Sequence, residues 1–213
     1  MKPDPTWVAK ETARVEGIYD RMAPRYDAII AVAERLMVGD GRRWACAGAT
    51  GQVLEVAVGT GRNLPFYPRN VELTGVELSA AMLARAQAAA ERLARPVNLL
   101  IGDAQHLDFH DASFDTVIAT LALCSIPDDS AAVREMARVL RPGGHLFLLE
   151  HVASRTSVIR TVQRLMDAPL VRLLGDHLLR EPDTAVRAAG LVVDEYATTR
   201  WGVVSRLAAH KPT

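Results

Sequence analysis

Two glycines and a carboxylate carry the first chemical signal in this chain. Gly59 and Gly61 end the run Gln52-Val-Leu-Glu-Val-Ala-Val-Gly-Thr-Gly61, and Glu77 closes the next apolar run. The first run reads as a buried parallel strand entering a tight turn. There the glycines let a ligand approach the backbone and supply unusual φ values. A carboxylate at the end of the second strand can accept hydrogen bonds from both hydroxyls of a ribose. The layout therefore suits a nucleoside-bearing cofactor, either a dinucleotide or S-adenosylmethionine; a glycine turn without ligand is the plain alternative. A dinucleotide calls for a third glycine and a helix N-terminus under its pyrophosphate. Here the loop continues Arg62-Asn-Leu-Pro65, so the third glycine is missing and Pro65 opposes a long helix at the turn. A methionine-bearing cofactor has no phosphates and needs only the first part of the loop.

Further candidates fall at the ends of the following apolar runs. Asp103 and Ala104 follow Val97–Ile101, where Asp103 can accept from an adenine amine or simply cap a turn. Thr120 ends the run Phe114–Thr120 and Leu121 follows it, and both are expected to face a cofactor's sulfur or an acceptor. His151 follows His145–Glu150; its unperturbed pKa lies near neutrality, which suits a base that deprotonates an amine, hydroxyl or thiol. Equally, His151 is a histidine fixed by Glu150 or by a backbone carbonyl. His177 is a second, weaker candidate base, and Cys124 reads as a buried small hydrophobe.

These residues need a scaffold of alternating strands and helices. Residues 52–152 carry that pattern, which implies a mostly parallel sheet with right-handed crossovers. Ser79 is the expected N-cap of an alanine-rich helix reaching Arg95, and a second helix spans Asp129–Leu140 before the Arg141-Pro-Gly-Gly144 turn. Residues 6–45 are expected to be helical, with Ile29, Ile30, Val32, Ala33, Leu36 and Met37 as an apolar stripe. Residues 157–180 read as an amphipathic insertion, and two strands near Val192–Thr198 and Val203–His210 end the chain.

Five segments in this order resemble the successive motifs of class I S-adenosylmethionine-dependent methyltransferases: Leu54–Gly61, Gly75–Ser79, Gly102–Ala104, Phe114–Val117 and Val139–Gly144. Tyr19-Asp-Arg-Met-Ala-Pro-Arg-Tyr-Asp27 is similar to the N-terminal signature of ubiquinone and menaquinone C-methyltransferases and of bacterial phospholipid N-methyltransferases. Phe66–Pro68, Thr120–Ser125, Leu149–Val152, Gly175–Glu181 and Ala188–Gly190 look more like the methyltransferase-like thiol methyltransferases. The likeness covers roughly residues 15 to 211. It implies a Rossmann-like α/β fold, a mostly parallel seven-stranded sheet with its last strand antiparallel, and an N-terminal helical lid. One domain is expected, with a lid at 1–50, a cofactor core at 51–152, a helical substrate cap at 153–190 and terminal strands at 191–213.

By the same resemblance Glu55 and Gly59 to Gly61 hold the methionine end of S-adenosylmethionine, Glu77 the ribose, and Asp103 with Ala104 the adenine, with Val58 and Leu78 as further cofactor-binding residues. Tyr19 and Tyr26 close over the site, their phenolic oxygens touching the cofactor carboxylate or the acceptor. Ala57 departs from the pattern, standing where the family's first loop glycine falls; alanine fits there if its φ is negative. Three acceptor classes remain open: a phospholipid amine, a quinone-type ring carbon and a small thiol. A cofactor-binding protein without transferase activity and a nicotinamide-dependent oxidoreductase stay as alternatives of another class.

Composition sets outer bounds. With 213 residues and 49% hydrophobic content there is material for one core. Lys and Arg number 25, as do Asp and Glu, so no nucleic-acid footprint is expected. Apolar runs fall short of the ~20 residues that span a bilayer. The N-terminus lacks a secretory hydrophobic region, and two scattered cysteines make neither a disulfide framework nor a metal site. Cytoplasmic residence is expected, with peripheral membrane contact through 28–37 and 157–174, where Arg155, Arg160, Arg164 and Arg172 offer a basic face.

Overall fold

The computed structural model describes residues 3–198 and 202–213; the side chain of Ala33, one member of the expected stripe, lies outside that description. Its centre is a seven-stranded sheet of β1 (Gln52–Val56), β2 (Glu72–Glu77), β3 (Asn98–Ile101), β4 (Phe114–Thr120), β5 (Leu140–His151), β6 (Val192–Thr198) and β7 (Val204–His210). The spatial order is β3-β2-β1-β4-β5-β7-β6. β1 to β5 pair in parallel, whereas β7 runs antiparallel to both β5 and β6. This is the expected Rossmann-like architecture. β1 and β4 are apolar nearly throughout because helices cover both sheet faces: Val53, Leu54, Val117 and Ile118 are fully buried.

The chain builds β1, β2 and β3 outward in one direction, then returns to place β4 on the other side of β1. Strand order therefore reverses between β1 and β4, and loops leaving their carboxyl ends diverge and open a crevice. Val56, Glu77, Ile101, Thr120 and His151 all end strands on this rim.

Helix α4 (Ala80–Arg92) starts where expected, the Ser79 hydroxyl accepting from the Met82 N–H at 3.1 Å. Helix α5 (Asp129–Val139) buries Val133 and Met136 under the sheet. Ahead of the sheet lie α1 (Pro5–Met22), α2 (Tyr26–Met37) and the short α3 (Gly41–Ala47). The expected insertion at 157–180 is helical only as α6 (Ser157–Leu174). Gly175 ends it with a left-handed φ of 76°, the loop 175–181 follows, and α7 (Pro182–Ala188) leads back to the sheet.

Candidate active site

The glycine turn after β1 is left-handed at three places, with φ of 55° at Ala57, 59° at Gly59 and 81° at Gly61. Negative φ at Ala57 is thus corrected: the family's glycine position does require the left-handed region, and alanine occupies it under strain. Gly61 has another task than the one expected. A Cβ on it would stand 2.8 Å from Leu64 Cδ1 and 3.2 Å from Ala86 Cα, so its missing side chain lets the loop settle on α4. It does not line the crevice. Pro65 sits in a single 3-10 turn, Leu64–Phe66, and no helix begins under the loop, as the dinucleotide argument required.

An open cavity lies in the crevice. Val58, Gly59 and Thr60 line it from the first loop, Glu77 and Leu78 from the second, Asp103 and Ala104 from the third, and Thr120 and Leu121 from the fourth. Glu77 is buried there, its Oε2 accepting the Gly59 N–H at 2.9 Å and its Oε1 the Ser79 N–H at 3.0 Å. A carboxylate offers about four lone-pair sites, so acceptor capacity remains for a ligand. Burial raises the Glu77 pKa, against the pull of those amides. The Asp103 carboxylate accepts from the Gln105 backbone N–H at 2.9 Å and from its side-chain amide at 3.0 Å.

Glu55, like Gly61, lies outside the crevice lining. It points under the glycine loop, where Oε1 accepts from Asn63 Nδ2 and Oε2 from the Tyr67 hydroxyl, both at 2.9 Å. Burial lifts its pKa to about 7. Its place against the methionine end is therefore corrected to a support beneath the loop. Arg42 joins this network, donating to Asn63 Oδ1 at 2.9 Å and Thr120 Oγ1 at 2.8 Å, and it forms an ion pair with Glu34. Arg42 and Arg62 both border the cavity. Neither has a sequence signature, because their partners lie on distant segments.

The N-terminal helices close the crevice and are fastened to three of its loops. Gln105 donates to Thr12 Oγ1 at 3.0 Å, Asp20 accepts from the Ser79 hydroxyl at 2.6 Å and the Ala81 N–H at 3.2 Å, and Asp27 accepts from the Thr60 hydroxyl at 2.7 Å. Asp20 and Asp27 belong to the Tyr19–Asp27 signature, which gave them no role. Tyr19 and Tyr26 stand with ring centroids 6.1 Å apart, and burial keeps both phenols protonated well above their usual range.

Behind these tyrosines lies a second chamber of about 670 Å³ between α1, α2, α6 and the end of β5. Tyr19, Tyr26 and Leu121 border both cavities. Leu121 there holds a φ of 54°, costly for a branched side chain and a mark of local strain at the shared wall. Met22, Ile29, Ile30, Met37, Leu170 and Leu174 give the second chamber an apolar lining. His151 belongs to it, its Nδ1 buried without a hydrogen-bond partner. Burial lowers the His151 pKa while Asp176 opposes that shift. Glu150 does not fix the imidazole; its carboxylate accepts the N–H groups of Ala122, at 3.1 Å, and Leu123, at 3.2 Å, and burial lifts its pKa to about 8. His177 lies outside the chamber lining, whereas Cys124, buried as expected, belongs to it.

Comparison with known proteins agrees with this geometry. Residues 54–148 match the family model of the methyltransferase domain. Over 129 residues the chain is 41% identical to a phosphatidylethanolamine N-methyltransferase of Cereibacter sphaeroides, covering 60% of this chain and 63% of that one. A demethylmenaquinone methyltransferase of Mycolicibacterium paratuberculosis is 31% identical over 230 aligned positions, 95% of this chain and 96% of the relative. The chain thus spans less than two thirds of the first relative and nearly all of the second. An S-adenosylmethionine-dependent methyltransferase from Thermotoga maritima superposes with a TM-score of 0.69 at 22% identity, over 92% of this chain and 99% of that one. A switch-point crevice with a glycine turn and a buried carboxylate at the end of β2 has the form of a nucleoside-cofactor site. The chain belongs to the class I S-adenosylmethionine-dependent methyltransferases.

Proposed function

We propose that the chain transfers the methyl group of S-adenosylmethionine to a nucleophile carried on an apolar, lipid-like acceptor. The observation that carries this reading is the pair of chambers meeting at Tyr19, Tyr26 and Leu121. The first lies in the switch-point crevice, and its donors and acceptors fit the cofactor. Glu77 would take the ribose hydroxyls with its free lone pairs, Asp103 the adenine amine, and Gly59 and Thr60 the methionine end near the guanidinium groups of Arg42 and Arg62. When bound, the cofactor supplies an activated methyl group on sulfonium sulfur, so the protein's part is alignment and exclusion of water. Helix α1 and the two tyrosines cover the cleft, and the apolar second chamber brings the acceptor to the wall where Leu121 stands.

The names of the relatives support an acceptor that is lipid or quinone in character. So do the exposed apolar residues around the second chamber: Ile29, Val32 and Leu36 on α2, and Val158, Val162 and Leu165 on α6. Together with the arginines of the α6 region they suit reversible contact with a lipid surface. Among the described residues no helix is long and apolar enough to cross a membrane. Incubation with isotopically labelled S-adenosylmethionine and a panel of amines, thiols, quinols and phenols, read by mass spectrometry, tests the activity. The reading expects thermal stabilisation by S-adenosylmethionine and none by NAD. Stabilisation by NAD alone, or a protein that binds the cofactor yet labels no acceptor class, would overturn it.

A further inference from the structure

The second chamber is apolar except at one end, beside its wall with the cofactor cleft. Asp176 stands there in the loop after α6. Facing it are Tyr19 from α1, whose hydroxyl donates to Asp176 Oδ1 at 3.5 Å, the Cys124 thiol from the turn after β4, His151 from β5, and His177 from its own loop. The remaining titratable groups on the lining come from α2. Tyr26 is neutral, and Glu34 is neutralised by ion pairs with Arg42 and Arg62, the latter at 2.7 Å. Gln163 is occupied in holding the chain, since it accepts from the Ser154 N–H and donates to the Val152 carbonyl. Among the described residues Asp176 is therefore the carboxylate on this lining with no cation other than histidine against it.

We propose that Asp176 selects an acceptor carrying a cationic amine, and that with His151 it takes the proton the amine must lose before methylation. This rests on the methyl-transfer reading above and names the nucleophile for it. A carboxylate with no lysine or arginine partner among the described residues, set in an apolar chamber, attracts a cation far more strongly than it would in water, and the Tyr19 and Tyr26 rings border the same chamber. A thiol or a quinol brings no positive charge and gains nothing from Asp176. The ammonium gives one proton to the Asp176–His151 pair, where the His151 Nδ1 is free to receive it. The neutral nitrogen then bonds to the methyl carbon as the carbon–sulfur bond breaks, with its electron pair passing to sulfur. The methylated ammonium leaves, and the pair returns its proton to solvent. Burial raises the Asp176 pKa and His151 partly offsets that rise. As pH falls through this ionisation, Asp176 becomes neutral and the hold on the ammonium is lost.

The test measures kcat and KM across pH for two micellar probes, dodecylamine and dodecanethiol, with the wild-type protein, Asp176→Asn and Asp176→Glu. Binding of S-adenosylhomocysteine by calorimetry reports whether each variant remains folded. For the amine, Asp176→Asn should raise KM at least tenfold and abolish the acid limb of the pH–rate profile, and Asp176→Glu should recover part of both. S-adenosylhomocysteine affinity should stay within about threefold. An unaltered amine KM and profile in Asp176→Asn, or an equal loss with the thiol, would overturn the assignment. Wild-type protein that methylates the thiol and never the amine would overturn it while leaving methyl transfer intact. No product from the amine would likewise overturn it, whereas methyl transfer itself would fall only if the quinol and phenol acceptors also stayed unlabelled.

Discussion

The Glu77 carboxylate holds two backbone N–H groups and still presents free lone pairs to the cofactor cavity. If these take the ribose hydroxyls, Glu77→Ala should weaken S-adenosylmethionine binding by a few kcal/mol, at roughly 1.5–3 kcal/mol for each charge-assisted bond. Asp103→Ala should cost less, because one bond to the adenine amine is lost instead of two. Calorimetry on folded variants decides this, and equal affinity in Glu77→Ala would remove the ribose assignment. Ala57 offers a different test. Its left-handed backbone costs on the order of 1–2 kcal/mol, while glycine gives back about 0.5–1 kcal/mol in unfolded-chain entropy. Ala57→Gly should accordingly raise Tm by no more than a few degrees, as about 1 kcal/mol moves a chain of this size by roughly 2–4 °C. A drop in Tm would show that the Ala57 methyl packs better than its strain costs.

Helix α1 is an element held mainly by polar fastenings. Only Val15 and Ile18 are buried along its length, while Thr12, Asp20 and the following Asp27 reach the cofactor loops. Such an element opens at lower cost than the sheet, which exchange of cofactor and acceptor requires. Hydrogen exchange at residues 15–27 should slow when S-adenosylhomocysteine is added. Asp20→Ala removes the contacts to Ser79 and Ala81 at the start of α4, so it should speed exchange in the free protein and lessen the slowing. Identical exchange with and without ligand would make α1 fixed structure and not a lid.

At the scale of the whole molecule, buried carboxylates tie stability to pH. Glu55 and Glu150 have folded pKa values of about 7 and about 8, above the ordinary 4.5. The folded state thus binds their protons more tightly than the unfolded chain does. That contribution is complete below about pH 4.5 and is lost as pH rises through 7 and 8. Wild-type Tm should therefore fall between pH 5 and pH 8.5. Glu150→Gln, whose amide oxygen can still accept from Ala122 and Leu123, should fall by a few degrees less. Parallel Tm profiles for the two proteins would show that Glu150 does not titrate in this window.

Much of the fold was legible because it rests on local signals. The apolar runs fixed the strands, Ser79 capped α4, and Pro65 denied a helix to the glycine loop. Gly59, Glu77, Asp103 and Thr120 were placed on one rim because parallel strands put every carboxyl end on the same edge. What sequence could not supply was the direction in which a side chain leaves that rim. Glu55 turned under the loop because Asn63 and Tyr67 enclose it there, and Glu150 turned to the amides of the 121–123 turn, leaving His151 to face Asp176. Gly61 serves the packing of α4, and Ala57 is left-handed because the turn's closure outweighs alanine's preference. Arg42, Asn63 and Asp176 carried no recognisable role, since each is defined by partners far along the chain. Tertiary structure alone set two chambers against one wall, because only packing of α1, α2 and α6 over the strand ends encloses a space between them.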